Sequence, residues 1–111
     1  MKAICKFICG ITVFSVASIT HAAGATAWGT LTELYVHGSW TMVKVDGITE
    51  NPDNCISTDF YAISPSDNNY NALHSSILSA YVAKKQIRFW VRDCAGQQDK
   101  YPHIISVFVK D

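Results

Sequence analysis

The sequence lacks the local signatures by which small enzymes and metalloproteins are usually recognised. No CxxC, HxxxH or HExxH spacing occurs, so no metal site is expected. There is no glycine-rich phosphate loop, no GxSxG elbow, no EF-hand series and no close carboxylate pair on one element. Nucleotide hydrolysis, hydrolase chemistry of the nucleophile-elbow type and paired-acid catalysis are left without support. No enzyme, no catalytic residue and no cofactor is expected. Repeats, low-complexity tracts and linkers are also missing after Gly24.

A long hydrophobic run is absent as well, but a short one stands at the N-terminus. Lys2 and Lys6 form a positive n-region, Phe7 to Ile19 is apolar or small, and Thr20-His21-Ala22 offers the small residues that a signal peptidase reads. The run falls short of the roughly 20 residues a spanning helix needs, which argues against a stable membrane anchor. The expectation is a cleaved signal over 1–22 and a single exported domain over 23–111, periplasmic or secreted. Cleavage leaves 89 of the 111 residues, and without Lys2 and Lys6 seven basic residues face nine acids, a formal net charge of −2. That balance argues against nucleic acid and against a polybasic membrane surface.

Cys55 and Cys94 are the two cysteines beyond the signal. In an oxidising compartment such a pair has one intramolecular connectivity, and a disulfide closing a 40-residue loop is expected. A catalytic thiol at Cys94, with His37, His74 or His103 as base and Asp93 or Asp99 behind it, is the competing reading, and no local motif accompanies it.

What is present is a succession of short β-like runs. Trp28 to Val36 and Ser39 to Val45 read as a hairpin about His37-Gly38, and a third strand is predicted from Ile56 to Ile63 after a turn-rich loop. Tyr70, Leu73, Ile77, Ala80 and Tyr81 then fall at helical spacing and predict a helix over 69–84 with one apolar stripe. Strands over 86–93 and 103–109 complete the order β-β-β-α-β-β. That is the chain order of the OB-fold, so the expected class is mainly β with one helix, in a five-stranded Greek-key barrel whose end the helix closes, with a generic α+β domain as the alternative.

On the strand over 86–93, alternation turns Ile87, Phe89 and Val91 to one side and Arg88, Trp90 and Arg92 to the other. The first set is the core side. For the second, three readings stay open: arginine stems packed over an indole, a subunit interface, or a ligand site in which an aromatic plane lies among guanidinium groups.

The run Ile87-Arg88-Phe89-Trp90-Val91, followed after a loop by Tyr101-Pro102-His103-Ile104-Ile105, resembles the binding subunits of subtilase cytotoxin and of the pertussis-like typhoid toxin. Gly29-Thr30-Leu31-Thr32-Glu33-Leu34-Tyr35-Val36-His37-Gly38 looks like their first strand, and Cys55-Ile56 like a Cys-Ile in their middle. Ala80-Tyr81 and Pro102-His103 are similar to the helix end and last strand of the cholera-type subunit. The resemblance implies an OB barrel in a pentameric ring that binds cell-surface glycan and carries a separate toxic subunit. This chain has Trp28 where those subunits place a sugar-contacting serine, and Val91 where they place a sugar-contacting tyrosine. Trp90, Arg88 and Trp28 are neighbours of the family's positions. The expected binding set is Trp90 or Trp28 as platform, Arg88 or Arg92 for a carboxylate, and Ser57 to fix orientation. The other reading is a solitary periplasmic OB-fold protein with a structural or protein-interaction role and no sugar site.

Overall fold

The computed structural model describes residues 22–111, so all but the last residue of the expected signal lies outside the described residues. The chain is mainly β with one helix. Six strands form one mixed sheet: β1 (Gly24–Ala25), β2 (Gly29–His37), β3 (Trp40–Asp46), β4 (Tyr61–Ile63), β5 (Gln86–Ala95) and β6 (Tyr101–Lys110). Helix α1 (Tyr70–Ala83) stands between β4 and β5, and a single 3₁₀ turn (Gln97–Asp99) between β5 and β6.

The strand count is six, not the five expected. The additional strand is β1, whose Gly24 and Ala25 pair antiparallel with Val91 and Trp90. Its sequence, Gly-Ala-Thr-Ala, has no β signal of its own; what places it is the hydrogen-bonding need of β5. Strand β2 occupies that edge of β5 only at Ile87 and Gln86. Beyond it, Thr26 exchanges bonds with Phe89, its N–H donating to the Phe89 carbonyl at 2.8 Å and its Oγ1 accepting from the Phe89 N–H at 3.0 Å. A buried threonine thus completes the ladder where regular strand is missing.

The third strand is also shorter than its predicted span of 56–63. Ile56 to Phe60 cannot extend it because that segment is held elsewhere. Asn51 brackets Cys55 with two hydrogen bonds, of 2.7 Å from the Cys55 N–H and 2.8 Å to its carbonyl, and the Ser57 N–H donates to the Lys100 carbonyl at 2.9 Å. The disulfide between Cys55 and Cys94 adds a covalent tie, with the Cα atoms 5.7 Å apart.

Pairings run β5-β2-β3-β4-β6 and return from β6 to β5, a closed circuit in which only β4 and β6 are parallel. Gly29 stands where the circuit closes between β2 and β5. A Cβ there would collide with the Asp46 carbonyl oxygen and press on Val45 and Ile48, so no larger residue fits the crossing.

Inside lie Leu31, Val43, Ile63, Ile77, Ile87 and Phe89 with their neighbours, all buried. Helix α1 contributes Leu73, Ile77 and Ala80 to this core. Tyr81, the last member of the expected stripe, is instead 37% exposed at the helix end. The helix stops one residue before the predicted limit because Lys84 turns into the left-handed region (φ 56°) and its N–H caps Ala80 and Tyr81 carbonyls. At the other end Asn69 gives no side-chain cap. Asp67 holds the turn instead, accepting from the Ser64 N–H at 2.9 Å and from His103 Nε2 at 2.9 Å.

Candidate functional site

Strand β5 positions most of the residues expected to bind. Its alternation is as read over 87–91: Ile87, Phe89 and Val91 are fully buried, Arg88 is half-buried and Trp90 is 41% exposed. Beyond Val91 the pairing with β6 slips, and Asp93 takes a positive φ of 64°, its N–H donating to Asp53 Oδ2 at 2.6 Å. Arg92 is still exposed, and strict alternation ends after it, at Asp93.

Arg88 is clasped by rings. Its guanidinium carbon lies 5.1 Å from the Trp28 ring centre and 4.8 Å from that of Phe108, its cross-strand partner on β6. Lys110 places Nζ 4.3 Å over the same Trp28 ring. Arg88 Nε is buried and has no hydrogen-bond partner, so the ring faces are what offset its desolvation. Trp28 and Arg88 are thus brought together, and they occupy each other.

Trp90 is situated differently. Its cross-strand neighbours are Ala25 on β1 and Ser106 on β6, both small, and the indole between them is left uncovered. This leaves an open aromatic surface next to a cationic one on the same strand face.

Arg92 and Ser57 do not join that group. Arg92 borders a cleft of about 280 Å³ between the start of α1 and β6, with Asn69, Leu73, His103 and Ile105 among its walls, and its Nε is 3.7 Å from Asp93 Oδ2. Ser57 Oγ accepts from the Asp59 N–H at 3.0 Å within the disulfide loop. Ser57 is a turn-former there.

The three histidines among the described residues are each engaged in packing. His37 stacks on Trp40 with ring centres 5.2 Å apart, His74 Nδ1 meets the buried Thr41 hydroxyl at 3.1 Å, and His103 faces Asp67. Cys94 is bridged to Cys55, so the competing thiol reading has no free sulfur to act through. Among the described residues no group of three or more His, Cys, Asp or Glu side chains converges to hold a metal.

A second aromatic cluster was not foreseen from the sequence. Tyr35, Phe60 and Tyr101 meet edge to face at 5.3 and 6.0 Å over the fully buried Met42, and Lys44 lies 5.9 Å above Phe60. Burial, then the neighbouring Tyr101 and Glu33, push the Tyr35 hydroxyl above its ordinary pKa. The available signal was the pair Met42-Val43, apolar on successive positions of one strand, which marks a strand covered on both sides. Phe108 and Lys110 were missed for another reason: only the β5–β6 register brings them to Arg88 and Trp28.

Comparison with known proteins finds no matching family model, no matching curated protein and no matching solved structure.

Proposed function

We propose that this chain is an exported binding module that recognises cell-surface glycan without catalysis, in the manner of the toxin binding subunits it resembles. The observation that carries the proposal is the open indole of Trp90, flanked by Ala25 and Ser106 and adjacent to the Trp28–Arg88–Phe108 stack. A pyranose ring presents apolar C–H faces and a rim of hydroxyls, and an uncovered indole with polar neighbours complements it. The closed strand circuit with a helix between β4 and β5 supports an OB-like barrel as the scaffold.

A ring of copies, carrying a separate toxic subunit, belongs to the same proposal. Two strand edges support it: β2 beyond Thr30 pairs only with β3, and β6 beyond His103 only with β5. Such edges accept a strand from a neighbour. The engagement of Arg88 by two rings favours the second reading, a protein with a structural or protein-interaction role and no sugar site, to the extent that Arg88 is needed for a carboxylate.

A glycan array tests the choice. The wild-type chain is expected to bind a restricted set of glycans, and Trp90→Ala to weaken that binding at least about tenfold, equivalent to about 1.4 kcal/mol. An array empty for the wild-type chain would reject the glycan reading.

A further inference from the structure

A formal charge of −2 describes the whole of residues 23–111, but the charges are not evenly distributed. Four of the seven basic side chains, Lys84, Lys85, Arg88 and Lys110, fall where α1 ends, β5 begins and β6 ends. Two of the nine acids are at the same end: Asp111, and Asp46, which the register places in line with Thr30, Gln86 and Lys110. The pairings bring these segments to one end of the molecule: Gln86 is opposite Lys110 and Arg88 opposite Phe108 on the outer side of the strands, Val109 lies beside Lys85 on the helix side, and Lys85 forms an ion pair with Asp111. The Lys85 ammonium beside it holds the Asp111 carboxyl below its usual range. The cations exceed the acids by two.

Apolar side chains are exposed around these cations. Phe108 is 41%, Val109 44% and Val82 75% exposed, and the Trp90 indole lies two residues along the same strand from Arg88. Charge alone would serve any polyanion. Cations interleaved with exposed aromatic and aliphatic groups are what a bilayer interface accommodates, since ammonium and guanidinium groups meet headgroup phosphates while rings and valines reach the acyl boundary. Nucleic acid and acidic proteins would leave Val82 and Val109 without a counterpart.

We propose that this basic and aromatic end of the molecule docks reversibly on a bilayer containing anionic phospholipid. The docking goes beyond glycan recognition: it uses Trp28 and Trp90 from the same strand face but requires no sugar. Each cation near an anionic surface contributes roughly fivefold to binding, so two in excess give a peripheral and salt-sensitive attachment, not a standing anchor.

Co-sedimentation of the exported chain with glycolipid-free vesicles provides the test. Vesicles of phosphatidylcholine with about 30% phosphatidylglycerol should bind it at least about tenfold better than phosphatidylcholine alone at low salt, and the preference should fade toward about 0.5 M salt. The double variant Lys84→Gln/Lys110→Gln should lower binding about 25-fold, whereas Lys44→Gln/Lys100→Gln, which removes as much charge elsewhere, should not. No preference for the anionic vesicles, or an equal loss in both double variants, would overturn the proposal. Retention on heparin without vesicle binding would also overturn it and would assign the surface to a soluble polyanion. An empty glycan array beside intact vesicle binding rejects the glycan reading alone.

Discussion

Arg88 is held between Trp28 and Phe108 with its Nε buried and unpaired, so its charge is directed at ring faces and not at a carboxylate. Tyr61 shows the opposite solution for a buried polar group. Its ring is in the core and its hydroxyl donates to the Glu50 carbonyl at 2.7 Å. Burial first, and the Glu50 charge second, push the hydroxyl far above the ordinary tyrosine range. Because the folded state holds this proton more tightly than the unfolded chain, the stabilisation is complete below about pH 10, the unfolded value, and declines as pH rises beyond it. In urea melts, Tyr61→Phe should lose roughly 1 kcal/mol at neutral pH and show a shallower decline between about pH 10 and 11.5 than the wild-type chain. An equally steep alkaline decline in the variant would assign that slope to other groups. At this scale alternation was informative: the buried set Ile87, Phe89 and Val91 follows from period-two patterning alone. The clasp on Arg88 was not legible, because Phe108 is twenty residues away and meets it only through the strand register.

At the scale of elements, the helix and the long strands lie close to where their periodic patterns put them, with β5 and β6 each reaching two residues into the expected gap between 93 and 103. The two larger departures are both short strands governed by something other than their own residues. Strand β1 exists because β5 has an edge to satisfy, and β4 is short because the segment before it is tied to Cys94, Asn51 and Lys100. Neither condition can be read from a local window. The Cys55–Cys94 bridge is legible, since residues 23–111 contain only one pair, and it closes a loop of 40 residues. Chain-entropy arguments value such a closure at roughly 4 kcal/mol. Replacing both cysteines by serine should lower the urea midpoint by that equivalent, and adding reductant to the wild-type chain should reproduce the loss. A variant with an unchanged midpoint would mean that the hydrogen bonds of the loop, and not the sulfur bridge, hold the segment.

For the whole molecule, composition was a poor guide to the surface. A slight acid excess argued against membranes, yet folding gathers four of the seven cations of residues 23–111 at one end and leaves seven of the nine acids elsewhere. Net charge is a sum, and a sum is blind to distribution. The same holds for assembly, which depends on which strand edges are left unpaired. With β2 and β6 each open along part of one edge, the chain over 23–111 is expected to sediment near five times its monomer mass at micromolar concentration. A monomer at that concentration would exclude the ring and leave the glycan and bilayer readings to a single copy.

The strand circuit is joined unevenly. The β5–β6 joint extends along both strands, whereas the β2–β5 joint consists of Gly29 with Ile87 and Thr30 with Gln86. The β4–β6 joint is shorter still, a single pair of Ala62 with His103, but it is the β2–β5 seam that has Trp28 and Arg88 beside it. Loosening of that seam would part the indole from the guanidinium, so the outward chemistry of this protein is coupled to one of the thinly joined parts of its wall.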